Sequence, residues 1–226
     1  MSAGVSKRRL EEKKPIRQMI KRWLPYPLVT AIARLINRPW LEDIHRTERL
    51  TEYTWVLRHM QPGWTLDFGS ASSYFPEMLA QWGHVDTCDF REWPRIRHPQ
   101  VQFVGTPPMR GQYDNIVCVS VLEHLPRHTV WPLISDLRRR LAPRGRLLIT
   151  VPSGHSAKFL GYQTFEPREM ELWTPWIEYY KRTAAGWCSA TAHETQYIHS
   201  TTHQVNALAC LTLGSLKDEP PPSLMT

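Results

Sequence analysis

Residues 65–80, Thr65-Leu66-Asp67-Phe68-Gly69-Ser70-Ala71-Ser72-Ser73-Tyr74-Phe75-Pro76-Glu77-Met78-Leu79-Ala80, decide the fold. The pattern is typical of a short buried strand that ends in an acid, a loop of small residues, and a helix carrying Met78 and Leu79. Such a loop leaves backbone N–H groups accessible, and the following helix adds the positive end of its dipole. It either binds a polar, partly anionic small molecule or serves only as a tight turn.

The segments that follow alternate between strand and helix. Gly83–Asp89 is predicted to be a second strand, closing on Asp89 about twenty residues past the loop. At that distance a nucleotide-binding α/β unit places a carboxylate for ribose hydroxyls. Val101–Val104, Tyr113–Ser120 and Leu147–Pro152 are predicted as the third, fourth and fifth strands. The alternation predicts a parallel sheet with right-handed crossovers.

The motifs along these segments keep a fixed order. They are Asp67-Phe68-Gly69 after the first strand, Asp89 after the second, Tyr113-Asp114-Asn115-Ile116-Val117 with Leu122-Glu123-His124 at the fourth, and Leu141-Ala142-Pro143-Arg144-Gly145 before the fifth. The set resembles the S-adenosylmethionine-dependent methyltransferases of the Rossmann-like class (class I), over roughly residues 50–152 and more loosely to the end of the chain.

Three further segments resemble one branch of that class. They are Ser73-Tyr74-Phe75-Pro76-Glu77-Met78-Leu79 after the loop, Asp89-Phe90-Arg91-Glu92-Trp93-Pro94, and Tyr179-Tyr180-Lys181-Arg182 with Gly186-Trp187. The branch is bacterial and is found beside enzymes of polysaccharide and other glycan biosynthesis. A glycan or other small-molecule acceptor is therefore the expected partner.

The resemblance implies an α/β fold with a doubly wound, mostly parallel seven-stranded sheet, a C-terminal antiparallel hairpin and N-terminal lid helices. Trp176–Tyr180 and Ala207–Leu213 are the expected hairpin strands, and residues 181–204 between them are expected to be a long loop. The expected domains are a basic arm with lid helices (1–60), the methyltransferase domain (61–215) and a flexible tail (216–226).

The resemblance also implies S-adenosylmethionine as the cofactor. Asp67 is expected to hold its ammonium, Asp89 its ribose hydroxyls, and Phe90 is expected to flank the adenine. Further contacts are expected from the loop and the end of the fourth strand, namely Gly69, Ser70, Ala71, Ser73, Ser120 and Val121. Asp67 and Asp89 could also be plain capping or turn carboxylates.

Two positions depart from the family pattern. Ala71 stands where the family has its second loop glycine, and its methyl group crowds the closest approach to a ligand. The loop Gly105-Thr106-Pro107-Pro108 lacks the acid that reads the adenine amino group in the family. Either Thr106 or a backbone group replaces that acid, or the site is degenerate.

Candidate catalytic residues follow the fourth strand. A hydroxyl acceptor needs a base, and His124 suits the task because an unperturbed imidazole has a pKa of about 6.5. Glu123 and His124 could instead be structural, and His155 is the reserve candidate. Possible walls of an acceptor pocket, which could equally be core, are Tyr179, Tyr180, Trp187 and His193.

Composition restricts the class of protein. With 226 residues, 42% hydrophobic and 22% charged, the chain is typical of a globular domain. No apolar run approaches the roughly 20 residues that span a bilayer. The four cysteines, Cys88, Cys118, Cys188 and Cys210, lack metal-ligand spacing. This pattern favours packing in a reducing cytoplasm and predicts no metal.

The charge is concentrated at the N-terminus. The chain carries +7, and residues 1–22 hold eight basic and two acidic side chains, which leaves +1 for the rest. Ile16, Met19, Ile20 and Trp23 recur at helical spacing among these cations. Residues 7–24 are therefore either a weak contact with an anionic membrane surface or a lid helix on the domain.

Three functions remain open on this sequence. The first is a methyltransferase acting on a small molecule or glycan, at a hydroxyl oxygen. The second is a nucleic-acid methyltransferase, supported only by the basic arm, so that no nucleic acid is expected as a partner. The third is a scaffold that has kept the fold and lost the chemistry, as Ala71 and the loop at Thr106 would suggest.

Overall fold

The computed structural model describes residues 48–71, 73–90, 98–105, 111–154, 163–196, 198 and 205–215. The predicted basic helix, Thr106 and His155 lie outside these residues. The strands are β1 (Thr65–Phe68), β2 (Val85–Cys88), β3 (Val101–Phe103), β4 (Tyr113–Val119), β5 (Leu141–Pro152), β6 (Ile177–Thr183), β7 (Gly186–Ala190) and β8 (Ala207–Gly214). The helices are α1 (Glu48–His59), α2 (Phe75–Leu79), α3 (Arg127–Arg139), α4 (Pro167–Glu171) and α5 (Ala192–Gln196), with a 3-10 turn at Leu122–His124.

The strands form one sheet in the order β3-β2-β1-β4-β5-β8-β6-β7. The first five strands of the chain pair in parallel, and β8 runs antiparallel between β5 and β6. This confirms the predicted α/β class and the antiparallel pairing of the last segments. The strand order reverses between β1 and β4, and the carboxyl edge at such a reversal is where open α/β sheets bind ligands.

The sheet has one more strand than the seven predicted, because residues 181–204 are not simply a loop. In their described part, β6 continues to Thr183, β7 pairs antiparallel with it, and α5 follows. A turn at Thr183–Gly186, with Gly186 at φ +117°, joins β6 to β7. Because β7 is an edge strand with no residue fully buried, its sequence lacks the apolar alternation that indicates a strand.

Two apolar layers cover the sheet, because side chains alternate along each strand. Leu147, Ile149 and Val151 of β5 face α3, where they join Ile134 and Leu137 in one cluster. On the other face Leu148 packs with the α1 and α2 residues Trp55, Val56, Phe75 and Leu79. Helix α1 therefore packs on the face of the sheet that carries Leu148, and α3 packs on the other face.

Helix α1 runs across the sheet from its carboxyl edge to the opposite edge. Its first half bonds to Thr150 near the end of β5, through Glu52. At its last turn, the carbonyl of His59 accepts a 2.9 Å hydrogen bond from Arg146 in the first half of the same strand. In the middle, Trp55 Nε1 donates to Glu178 of β6 at 2.9 Å. These bonds place the first turns of α1 beside the ligand edge of the sheet.

Candidate active site

The loop after β1 is pressed against the end of β4. Gly69 has φ +76°, and its N–H donates to the carbonyl of Cys88 at 2.8 Å. A Cβ added at Gly69 would lie 2.4 Å from Cγ2 of Val121, well inside van der Waals contact. Both the conformation and the space therefore require glycine here. Asp67, almost fully buried, stands two residues earlier at the same edge.

The loop is also tied to the end of β2. Ala71 N–H donates to Oδ2 of Asp89 at 2.8 Å, and the N–H of Phe90 donates to Oδ1 at 2.7 Å. Ala71 has φ +46°, so it adopts the left-handed conformation that the family's glycine would favour. Both oxygens of the Asp89 carboxylate therefore accept a backbone N–H, which joins the loop after β1 to the end of β2. The Phe90 side chain is 79% exposed at this edge.

A local hydrogen bond closes the end of the loop, and helix α1 packs over it. Ser73 Oγ donates to the carbonyl of Ser70 at 2.9 Å, which closes the turn into α2. Tyr53 of α1 stacks on Phe75 of α2 with ring centroids 4.0 Å apart and planes 9° apart. Burial raises the pKa of Tyr53 to about 12, so its hydroxyl stays protonated. Helix α1 therefore packs directly over the loop and its helix.

A buried carboxylate of α1 lies beside the carboxyl ends of β4 and β5. Glu52, with 0% of its surface exposed, accepts hydrogen bonds at Oε1 from Ser120 Oγ at 2.6 Å and Thr150 Oγ1 at 2.7 Å. Its Oε2 accepts from a guanidinium nitrogen of Arg49 at 2.9 Å. Ser120 itself has φ +49°. The charge of Glu52 is therefore held by three donors at the edge where β4 ends.

Arg49 and Glu52 were not predicted as site residues from the sequence. The available signal was weak: an acid sits on the inward face of α1, four residues before the buried Val56 and three after a cation. Such i,i+3 pairs on helices are usually solvated surface pairs. Only the sheet on the other side shows that the pair faces inward.

The two predicted catalytic residues point to different surroundings. Glu123 is 5% exposed, whereas the side chain of His124 is exposed. Burial is the largest cause that raises the pKa of Glu123, to about 8, and the charge of Glu52 adds to it. A backbone hydrogen bond, Arg49 and a hydrogen bond with Ser120 oppose the rise. Oε2 of Glu123 accepts no hydrogen bond from the described part of the chain. Glu123, rather than His124, belongs to the buried cluster at the end of β4.

The suggested acceptor walls divide between the two faces of the sheet. Tyr180 and Trp187 pack on the α1 side, whereas Tyr179 is buried in the cluster that packs on α3. For Tyr179 the structure therefore shows the core alternative. His193 is exposed on α5, a helix whose Ala192 packs on the α3 side as well.

The residues that the structure describes contain neither a metal-binding cluster nor a membrane-spanning helix. No three His, Cys, Asp or Glu side chains among them gather closely enough to hold a metal ion. Nor does any helix in these ranges have the length and apolarity to cross a membrane.

The fold and the glycine loop at the strand reversal define a class I methyltransferase domain. The profile of the methyltransferase-domain family matches residues 36–200, most of the chain, so the chain belongs to that family. It is accordingly an S-adenosylmethionine-dependent methyltransferase, with S-adenosylmethionine as its methyl donor. A comparison with curated proteins finds no match.

Solved structures share the fold at low sequence identity. The 1,6-didemethyltoxoflavin-N1-methyltransferase of Burkholderia thailandensis, crystallised with 1,6-didemethyltoxoflavin and S-adenosylhomocysteine, has a TM-score of 0.54 at 16% identity, over 91% of this chain and 90% of that one. The N-methyltransferase NodS of Bradyrhizobium japonicum, in complex with S-adenosylhomocysteine, gives 0.51 at 18% identity, over 72% and 85%. TehB of Haemophilus influenzae gives 0.52 at 17% identity, over 73% and 62%.

Proposed function

We propose that this methyltransferase transfers the methyl group of S-adenosylmethionine to a small-molecule or glycan acceptor, at a hydroxyl oxygen. The observation that carries the proposal is the meeting of three features at one sheet edge. They are the glycine loop against Val121, the loop bonded to Asp89, and the buried carboxyl cluster at the end of β4.

The residues present fit the cofactor. Because Val121 leaves no room for a Cβ at Gly69, the position must be glycine. A glycine has no side chain that could come between the loop backbone and a ligand. Asp67 lies buried where the ammonium of the methionine part would bind. Asp89 follows β2, the next strand in the chain, and is bonded to the loop, so we assign it to the ribose diol. Ser120 and Val121 would lie beneath the methionine part.

The bound cofactor supplies an electrophilic methyl carbon, and the chain supplies position and proton transfer. Helix α1 covers this part of the edge with Tyr53, Arg49 and Glu52, which restricts water there. The acceptor oxygen must lose a proton as it gains the methyl group. Glu123 and His124 are the proposed proton acceptors, the first buried within the cluster and the second exposed beside it.

The acceptor class is proposed from the sequence resemblance to the glycan-associated branch. The solved relatives are compatible with small acceptors, since one was crystallised with 1,6-didemethyltoxoflavin. We place the enzyme in the cytoplasm, with a weak contact of residues 7–24 to the membrane surface where lipid-linked glycans are held. Co-sedimentation with vesicles of anionic and of neutral lipids, with and without residues 1–24, tests that contact.

The test of the function is calorimetric titration of S-adenosylmethionine and S-adenosylhomocysteine into the wild-type protein, Asp89→Ala and Asp136→Ala. Asp136 pairs with Arg140 on α3, so its replacement is a matched loss of a carboxylate away from the edge. We expect micromolar binding that Asp89→Ala weakens tenfold or more, about 1.4 kcal/mol, and that Asp136→Ala leaves unchanged. Absence of binding by folded wild-type protein would favour the scaffold instead.

A further inference from the structure

We propose that Glu123 changes its protonation state with the charge at the methyl-transfer position: it is ionised while a cationic methyl donor is bound and protonated once the donor is neutral. In this arrangement Glu123 takes the proton of the acceptor. The inference rests on the proposed function and deepens it, because it assigns the proton-accepting role to one residue of the site.

The position of Glu123 ties it to the cofactor loop. It follows Val121 by two residues, and the Val121 side chain occupies the space that a Cβ at Gly69 would need. The 3-10 turn that carries Glu123 is held by the N–H of Gln163, which donates to the Glu123 carbonyl at 2.9 Å. The backbone of Glu123 is therefore held at the end of β4, two residues from the side chain that packs against the cofactor loop.

The neighbouring charges make Glu123 the member of the cluster able to exchange a proton. Each oxygen of Glu52 already accepts a hydrogen bond from Ser120, Thr150 or Arg49. By contrast, Oε2 of Glu123 is buried and accepts none from the described chain. A buried carboxyl with a spare oxygen is the group that responds most to a new charge nearby.

Among the described residues, the titratable groups coupled to Glu123 come from two elements. Helix α1 contributes Glu52 and Arg49, whose charges oppose each other, and β4 contributes the buried thiol of Cys118. With burial as the largest cause, the pKa of Glu123 rises to about 8, so the carboxyl is protonated at neutral pH before any ligand binds. A positive charge bound at this edge of the sheet lowers that pKa, because a nearby opposite charge favours the ionised carboxylate.

The charge balance of the transfer fits this exchange. As the acceptor oxygen bonds to the methyl carbon, the carbon–sulfur bond breaks and its electron pair stays on sulfur. The acceptor's proton then passes to the carboxylate of Glu123. One positive charge disappears at sulfur while one negative charge disappears at Glu123, so the net charge of the buried site does not change.

The experiment measures protons released on binding, and it needs no turnover. S-adenosylmethionine and S-adenosylhomocysteine are titrated separately into the full chain at pH 7.0, in two buffers that differ in ionisation enthalpy. The two ligands share every titratable group and differ in the transferable methyl group and in the positive charge on sulfur. We expect S-adenosylmethionine to release roughly half a proton to one proton more than S-adenosylhomocysteine, as a pKa falling from about 8 to below 7 requires.

Two variants assign the proton. Glu123→Gln removes the difference between the ligands, whereas Glu171→Gln, an exposed glutamate on α4, preserves it. Equal proton release for both ligands in the wild-type protein overturns the inference even if Glu123→Gln does not fold. If both ligands bind but release equal numbers of protons, the inference fails and the proposed function stands. If neither ligand binds, the proposed function and the inference fail together.

Discussion

The hydroxyl of Ser120 donates a 2.6 Å hydrogen bond to Oε1 of Glu52, which lies 68 residues earlier in the chain. This bond joins the turn after β4 to helix α1. Ser120 is held at φ +49°, a conformation that costs an L-residue roughly 1–2 kcal/mol. A hydrogen bond to a charged group contributes roughly 1.5–3 kcal/mol, enough to offset that cost. Helix α1 and the turn after β4 therefore stabilise each other.

Replacing Glu52 by Gln should destabilise the fold. The amide keeps the shape but loses the charge that Arg49, Ser120 and Thr150 satisfy, and we expect a loss of about 2 kcal/mol in the free energy of unfolding. The loss stays below that of a fully buried ion pair because the Arg49 side chain is 38% exposed and water can solvate it. Urea denaturation measures it, with Thr150→Val, expected near 1 kcal/mol, as the variant that removes a single donor. A Glu52→Gln protein as stable as wild type would show that the carboxylate does not hold α1.

Gly69 and Gly105 allow the cost of a positive φ to be measured separately from the cost of steric overlap. Both have φ +76°, but a Cβ at Gly105 would meet no described residue within 4 Å, whereas one at Gly69 would lie 2.4 Å from Val121. Gly105→Ala should cost roughly 1–2 kcal/mol of stability through its backbone alone. Gly69→Ala should cost roughly 1–3 kcal/mol more from overpacking, and should weaken S-adenosylhomocysteine binding at least tenfold.

A second substitution tests the cause of that loss. Val121→Ala removes the two methyl groups that an added Cβ would strike. The double variant Gly69→Ala/Val121→Ala should therefore regain part of the stability lost by Gly69→Ala, measured by the same denaturation. If the two effects simply add, Val121 is not the obstacle and the requirement for glycine is one of backbone conformation alone.

Ala71 offers the opposite test, because it holds a left-handed conformation at φ +46° with a side chain in place. Ala71→Gly removes the roughly 1–2 kcal/mol cost of that conformation but adds chain entropy to the unfolded state. We expect a net gain of about 0.5 kcal/mol in unfolding free energy, and tighter binding of S-adenosylhomocysteine because the methyl group no longer narrows the approach. Looser binding would mean that Ala71 orders the loop for the ligand. Thermal unfolding with and without ligand gives both quantities.

The parts of the fold that local patterns determine were predictable from the sequence. Asp67, Gly69 and Asp89 follow short buried strands, and a parallel sheet brings such strand ends together whatever the intervening helices are. The edge strand Gly186–Ala190 could not be predicted in the same way, since it buries too little to need an apolar pattern. Its existence depends on pairing with β6.

The chemistry of the site depended on contacts that no local pattern carries. Glu52 and Ser120 meet only because α1 crosses the sheet, and neither residue type is unusual on a helix or after a strand. Glu123 and His124 are neighbours in sequence, but the 3-10 turn sends one side chain into the interior and leaves the other exposed. Sequence reasoning therefore named both residues as candidates, and only the structure shows which of the two the turn buries.

The protonation of Glu123 should make stability depend on pH in the absence of ligand. Its pKa is raised from 4.5 to about 8, mainly by burial. Between these two values the carboxyl is protonated in the folded state and ionised in the unfolded chain. The stability from this group is fully present below pH 4.5 and is lost as the pH rises through 8, with a slope of at most about 1.4 kcal/mol per pH unit. Urea midpoints at pH 5.5, 6.5 and 7.5 should fall for the wild-type protein. They should fall less steeply for Glu123→Gln, which cannot ionise, and as steeply as wild type for Glu171→Gln. Identical pH profiles for all three proteins would mean that Glu123 titrates normally in the folded state, and that water or another group reaches its carboxyl.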